Sequence, residues 1–158
     1  MNPSEQVIEE FYAAFAAHNV KTMASCYHPE IQFVDPVFGT LNGEEVTKMW
    51  HMLIERSNGH LQIEFSNVVS NDVSGSADWT AHYIFSSTKR PVVNEVHSTF
   101  IFKDGLIFRQ VDEFDMWKWS RQAFGFSGFL MGWTGYMHGK IQKQAREALK
   151  RYSIPTSF

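Results

Sequence analysis

Cysteine is almost absent from this chain, because Cys26 is the single one among 158 residues. One cysteine cannot form an internal disulfide, so the fold must be stabilised without such cross-links. The sequence also has no apolar run near the roughly 20 residues that a membrane-spanning helix needs. Its first five residues are polar and acidic, so we expect no signal peptide. Together these absences predict a cytoplasmic protein that makes no membrane contact.

Common catalytic and metal-binding signatures are missing as well. The sequence has no HExxH pair, no glycine-rich phosphate loop and no paired-cysteine zinc pattern. It also lacks a sequential Ser–His or Cys–His motif. We therefore expect neither a metal nor another cofactor.

Aromatic residues are abundant, at 15% of the chain, with 14 Phe and 5 Trp. Hydrophobic residues make up 44% and charged residues 20%, which is typical of a globular protein. Aromatic rings bring large apolar area with few rotamers, so they suit either a packed core or the wall of a pocket.

Charge is distributed unevenly along the chain. Residues 1–115 carry 7 Lys/Arg and 16 Asp/Glu, a net −9, whereas residues 116–158 carry 7 Lys/Arg and one Glu, a net +6. A basic segment can bind nucleic acid or an anionic membrane. Here the basic residues lie on an amphipathic helix without interleaved exposed aromatics, so we predict contact with the acidic body or a partner subunit. No nucleic-acid partner is expected.

The order of predicted elements indicates an α+β domain. Asn2, Pro3 and Glu5 form a capping signal that begins a helix ending near residue 19. A short helix follows, and a second capping signal at Asn42 and Gly43 begins a third. The predicted strands are 31–35, 60–70, 77–86, 92–102 and 106–114, and the last predicted helices are 116–124 and about 137–152. This order predicts helices packed on one face of a curved antiparallel sheet.

Three stretches carry a resemblance to a known family. They are Phe11–Phe15 with His18 and Asn19, Phe33–Gly39 leading to Asn42 and Gly43, and Phe100–Ile107 ending at Asp112. In this order they resemble the NTF2-like superfamily, and within it the SnoaL-like polyketide cyclases and ketosteroid isomerases. The resemblance implies an open cone with a small-molecule pocket, usually in a homodimer. It predicts a cone domain over residues 1–115 and a helical extension over residues 116–158 packed on it.

Two aspartates are the candidate catalytic residues. Asp35 ends an apolar strand before a proline, where partial dehydration would raise its pKa and make it a base near neutral pH. The resemblance places it at the proton-shuttling aspartate of the isomerases and places Asp112 at the acid/base aspartate of the cyclases. The structural alternatives are a turn aspartate for Asp35 and a salt bridge or helix cap for Asp112.

The resemblance to the isomerases breaks at two positions. Their oxyanion tyrosine falls on Phe11, which donates no hydrogen bond, and their protonated aspartate falls on Ser98, a weaker acid. Steroid isomerisation is therefore not expected. The superfamily's epoxide hydrolases need an arginine and two aspartates on neighbouring strands, and the predicted strand 92–102 offers neither residue type.

Alternation along the last strand predicts one pocket-facing side of the strand, with Leu106, Phe108, Gln110, Asp112 and Phe114 on it. The complete set predicted to contact a ligand is Phe11, Phe15, Phe33, Trp50, Ser98, Phe100, Phe108, Gln110 and Phe114. His82 and His97 could lie opposite each other and, with Glu95, hold a metal, but a cross-strand or dimer-interface pair is favoured.

The segment after the sheet contains Trp117, Trp119, Phe124, Phe126, Phe129 and Trp133. It could pack the last helix on the sheet, cover the pocket as a lid, or contact a membrane surface. For the whole chain we predict a homodimer that binds a hydrophobic small molecule. If it is an enzyme, we expect isomerase, cyclase or dehydratase chemistry by aspartate acid/base catalysis on a carbonyl compound. The alternatives are a non-catalytic binder of an apolar metabolite and a structural dimer module.

Overall fold

The computed structural model describes residues 1–126 and 135–154, which form five helices and a six-stranded sheet. The helices are α1 (Pro3–Ala16), α2 (Val20–Ser25), α3 (Glu44–Arg56), α4 (Met116–Phe124) and α5 (Gly135–Arg151). The strands are β1 (Tyr27–Asp35), β2 (Gly39–Asn42), β3 (Gln62–Ser70), β4 (Ser74–Phe85), β5 (Arg90–Lys103) and β6 (Leu106–Glu113). The predicted α+β architecture is confirmed, and no helix in the described ranges is long and apolar enough to cross a membrane.

The strand order is β2-β1-β6-β5-β4-β3, and the curved sheet stays open. Four of its neighbouring pairs are antiparallel, but β1 and β6 run parallel. The prediction of a wholly antiparallel sheet is therefore wrong at this pair. A hairpin forces its strands to be antiparallel, whereas β1 and β6 are joined through four other strands and a helix, so no turn fixes their direction.

Strand β2 was not predicted, because Pro36 and Gly39 are residue types that usually end a strand. The chain instead reverses after Asp35, and Gly39 adopts a φ of 69°, which a glycine reaches without steric cost. Gly39 then pairs with Asp35, and Asn42 pairs with Gln32. The short hairpin keeps Asp35 at the end of a paired strand.

A β-bulge changes which side chains of β6 face inward. Ile101 pairs with Arg109 and Phe102 pairs with Ile107, so Phe108 is the extra residue on β6. The predicted inward-facing set is therefore wrong for Leu106 and Phe108, at and before the bulge, and right for Gln110 and Asp112 after it. Ile107 is fully buried, while the Phe108 ring contacts His28 on the outside, with a centroid distance of 5.3 Å.

The core is an aromatic cluster between the helices and the inner face of the sheet, meaning the face that α1 and α3 cover. Phe15 packs on Trp50 at 4.9 Å and on Trp79 at 5.4 Å between ring centroids. Phe11 and Tyr12 are fully buried beside them. These rings join α1, α3 and β4 into one wall.

The aromatic segment after the sheet packs against the end of β4. The Trp119 and Phe124 rings of α4 lie 5.6 Å and 5.3 Å from that of Phe85. Phe126 is 76% exposed. Phe129 and Trp133, for which packing, a lid or a membrane contact was predicted, lie outside the described residues.

Gly75 lets both β3 and α1 lie close to β4. A Cβ on Gly75 would lie 2.9 Å from the carbonyl oxygen of Val69 and 3.0 Å from Cδ1 of Ile8. Because one of these atoms is backbone, we expect Gly75→Ala to lower the free energy of unfolding by about 1–3 kcal/mol. Chemical denaturation measures this change.

The matched control is Gly139→Ala on α5, where an added Cβ meets no atom within 4 Å. Alanine is the better helix former, so this variant should gain up to about 1 kcal/mol. Equal effects of the two substitutions would contradict the close packing of β3 and α1 around Gly75.

Candidate functional site

A cavity of about 340 Å³ lies between the inner face of the sheet and helices α3, α4 and α5. Its wall is mostly aromatic and aliphatic, with Phe15, Trp50 and Trp79 among the lining residues. Two carboxyl groups, those of Asp35 and Asp112, also line it. The structure thus brings both predicted catalytic aspartates to one apolar space.

Asp112 lies on β6 and is only 4% exposed. Its Oδ1 accepts a hydrogen bond from Ser98 Oγ at 2.5 Å and one from Gln110 Nε2 at 3.0 Å. Its Oδ2 accepts no hydrogen bond from a described residue. It is not fully buried either, so part of its surface is accessible. Oδ2 is therefore the oxygen that faces the cavity.

The direction of the bonds behind Ser98 is fixed by an indole. Trp79 Nε1 and Tyr12 Oη each lie 2.8 Å from Ser98 Oγ. An indole N–H can only donate, so Ser98 Oγ accepts from Trp79. An ionised Asp112 can only accept, so Ser98 uses its own proton towards Asp112. Tyr12 completes the arrangement as a second donor to Ser98.

A second branch reaches Asp112 through Gln110. Trp50 Nε1 donates to Tyr27 Oη at 2.9 Å, and Tyr27 Oη donates to Gln110 Oε1 at 2.7 Å. The Gln110 amide nitrogen then donates to Asp112 Oδ1. Ser98 and Gln110, which end the two branches, both donate to Asp112 Oδ1. A proton on Asp112 therefore resides on Oδ2, which faces the cavity.

Asp35 is held by the turn that follows β1. Its Oδ1 accepts the backbone N–H of Val37 at 3.0 Å and that of Phe38 at 2.6 Å. These are the bonds of the turn interpretation, and they coexist with the cavity position. Its other oxygen has no bond to a described residue, so Asp35 repeats the arrangement of Asp112.

Burial raises the pKa of both carboxyl groups. Desolvation is the largest cause for Asp35, and the nearby Asp112 charge adds to it, raising the pKa of Asp35 to about 7. Desolvation also raises the pKa of Asp112 to about 6, against the opposing hydrogen bonds from Ser98 and Gln110. Both carboxyl groups therefore titrate close to neutral pH, as a coupled pair.

The predicted ligand-contacting residues fall into three groups. Phe15, Trp50 and Phe114 line the cavity. Five others are fully or almost fully buried and do not line it, namely Phe11, Phe33, Ser98, Phe100 and Gln110. Ser98 and Gln110 act on the cavity only through Asp112. Phe108 points away because of the bulge in β6.

The last helix also forms part of the cavity wall, which its sequence pattern did not predict. Ile141, Ala145 and Ala148 of α5 line the cavity. The helix is tied to the body by Arg146 Nη1, which donates to the carbonyl oxygens of Phe38 at 2.7 Å and of Thr40 at 3.0 Å. The apolar stripe of α5 indicated packing, but not the surface on which it packs.

The histidines do not form the arrangement that was considered for a metal. His82 pairs with Val93 and His97 pairs with Asp78, so the prediction that the two histidines could lie opposite each other is wrong. His97 Nδ1 lies 2.6 Å from Asp78 Oδ1. Within residues 1–126 and 135–154, no three His, Cys, Asp or Glu side chains are placed to hold a metal.

Known structures with this fold cover most of this chain. TerC, co-crystallised with polyporic acid, is 17% identical, with 78% of this chain and 100% of that chain covered and a TM-score of 0.68. A putative polyketide cyclase from Xanthomonas campestris is 16% identical, with coverage of 77% and 96% and a TM-score of 0.62. A LEH-like epoxide hydrolase from M. tuberculosis is 17% identical, with coverage of 81% and 92% and a TM-score of 0.59.

At these identities the structural likeness shows the fold, an NTF2-like α+β cone. No curated protein sequence matches the chain. The family model of the SnoaL-like domain matches residues 8–110, which is more than half of the chain. The chain therefore belongs to the SnoaL-like family.

Proposed function

We propose that this protein catalyses proton transfer on a hydrophobic carbonyl compound bound in the cavity. One observation carries the proposal. Asp35 and Asp112 each have Oδ1 held as a hydrogen-bond acceptor, while both side chains line the same apolar space. Paired acids whose pKa values lie near neutrality and differ are suited to act as one acid and one base.

In the proposed step, Asp112 is the base and Asp35 is the acid. Asp112 Oδ2 takes a proton from the carbon beside the carbonyl, and the C–H electron pair becomes the C=C bond of an enolate. The carbonyl π electrons move onto oxygen, to which protonated Asp35 donates a hydrogen bond or its proton. The roles follow the order of the pKa values, since Asp112 ionises first.

Three outcomes are open to such an enolate. Return of the proton from Asp112 to a different carbon gives an isomer. Attack of the enolate carbon on a second carbonyl closes a ring, and loss of a hydroxyl group from the β-carbon gives a dehydrated product. All three need only acid/base groups, so the proposed reaction uses no cofactor.

The properties of the cavity support a hydrophobic substrate. Its wall is dominated by Phe15, Trp50, Trp79 and the apolar side of α5, and burial there raises both aspartate pKa values. Its volume of about 340 Å³ lies in the range of small-molecule sites. The names polyketide cyclase and epoxide hydrolase among similar folds agree with a small-molecule site, without choosing the reaction.

A second candidate is a binder without catalysis. It is favoured by the two backbone bonds to Asp35 Oδ1, because an aspartate that shapes a turn has a structural reason to be there. The binder requires the same cavity but makes no use of the two carboxyl groups, so substitution of the aspartates separates the two functions.

We also propose that the protein is a cytoplasmic homodimer whose two copies meet on the outer face of the sheet, opposite the helices. Ile101 on this face is 39% exposed and Val93 is 40% exposed. Burying such side chains favours association. A monomeric mass from light scattering would contradict the dimer.

The base role of Asp112 predicts a loss of enolisation in Asp112→Asn. We expect the wild type to catalyse deuterium exchange at the carbon beside the carbonyl of 2-tetralone, measured by proton NMR. Because an amide cannot accept the proton, Asp112→Asn should lose at least about 10²-fold of the rate above the protein-free blank.

Asp72→Asn is the control, since Asp72 lies in an exposed loop outside the cavity. It should exchange at the wild-type rate. If no protein exceeds the blank but 2-tetralone still binds, the binder is the better description.

The raised pKa of Asp35 predicts a specific dependence of stability on pH. Because the folded state favours the protonated acid, this group lowers wild-type stability as pH rises from about 4 to about 7, and the penalty is constant above that. Asp35→Asn keeps an oxygen for the turn and cannot ionise. It should equal the wild type near pH 4 and exceed it by at least about 1 kcal/mol near pH 7.5.

Urea unfolding across this pH range measures the difference, with Asp72→Asn as the reference. If Asp35→Asn instead loses about 1–3 kcal/mol at neutral pH, the ionised carboxylate stabilises the turn and Asp35 is not the acid.

A further inference from the structure

Tyr83 is a cavity residue whose hydroxyl group is held by a single neighbour. It lies on β4 and lines the cavity. Trp119 Nε1 donates a hydrogen bond to Tyr83 Oη at 2.7 Å. Because an indole N–H only donates, the tyrosine oxygen is the acceptor in this bond.

The proton of the Tyr83 hydroxyl is therefore left for another acceptor. No described residue accepts it, so a bound molecule in the cavity is the available partner. Accepting a bond from Trp119 polarises the O–H group and makes it a stronger donor. Trp119 also fixes the hydroxyl oxygen, so the donor is positioned before a ligand arrives.

Tyr83 also lies near the proposed acid. Burial is the main cause that raises the pKa of Tyr83 to about 12, and the negative charge of Asp35 adds to it. Both side chains line the same cavity. With that pKa, Tyr83 stays protonated and neutral at physiological pH.

We propose that Tyr83 is a further catalytic residue, whose hydroxyl donates a hydrogen bond to the substrate carbonyl oxygen as that oxygen becomes an enolate. The proposal rests on the proposed proton-transfer function and narrows the substrate class to enolisable carbonyl compounds. It also supplies, from β4, the donor that Phe11 cannot provide from α1. Tyr83 and Asp35 would then flank the developing oxyanion, with Asp112 acting as the base.

The probe for this role is 2-naphthol, a planar hydroxyl compound shaped like the enol of 2-tetralone. Its reference is 2-methylnaphthalene, which has a methyl group in place of the hydroxyl. The measured quantity is the ratio of their dissociation constants, from fluorescence titration. In Tyr83→Phe the preference for 2-naphthol should fall by about three- to tenfold, the value of one net hydrogen bond.

Two further variants separate a donor role from a structural one. Trp119→Phe removes the same Trp119–Tyr83 bond but keeps the hydroxyl, so it should lower the preference for 2-naphthol less than Tyr83→Phe does. The double variant Tyr83→Phe with Trp119→Phe leaves no unpaired indole N–H, which protects its folding. It should lose the preference as Tyr83→Phe does.

The inference is overturned if the preference survives in both proteins that lack the hydroxyl, or if Trp119→Phe alone abolishes it. Tyr83→Phe should also slow 2-tetralone exchange by about 10²-fold, as expected for loss of one oxyanion donor. Exchange that depends on Asp112 but not on Tyr83 overturns this inference and leaves the proposed function intact. Failure of the wild type to bind either naphthalene overturns both.

Discussion

The constraint on which the site depends is the burial of Asp112 among aromatic rings. A charged carboxylate in such surroundings costs several kcal/mol unless it is hydrogen-bonded. Here the donors come from Ser98 and Gln110, and two indole N–H groups further back fix the direction of both branches. Ser98 and Gln110 both donate to Oδ1. The opposite oxygen is left to the cavity, so the packing that stabilises the carboxyl group also orients it.

The same cavity wall comes from two parts of the chain. The residues that the family model matches supply Asp35 and the rings from α1, α3 and β4, while Asp112 and α5 lie beyond them. Arg146 ties α5 to the carbonyl oxygens of the β1–β2 hairpin, the turn that also holds Asp35. The extension is therefore part of the cavity wall, and it contacts the segment that positions one of the two acids.

The α+β class and the extent of α4 could be predicted because capping signals and alternation are local properties. The family followed from the resemblance of three stretches, and the catalytic roles of Asp35 and Asp112 stay predictions. Three features could not be predicted in that way. The parallel pairing of β1 with β6 depends on long-range contacts, and the bulge at Phe108 inverts the local alternation. The roles of Ser98 and Gln110 behind Asp112 depend on hydrogen bonds to Tyr12 and Tyr27, which lie far away in the sequence.

The central claim is that Asp35 and Asp112 both titrate close to neutral pH. Carbon-13 NMR titration of the aspartate carboxyl carbons tests it directly, with Asp72 as the exposed reference. The account predicts that two resonances, absent from the respective Asn variants, titrate near pH 6 and pH 7 and that each responds to the other. Titration of both at the ordinary aspartate value of about 3.9 would contradict it.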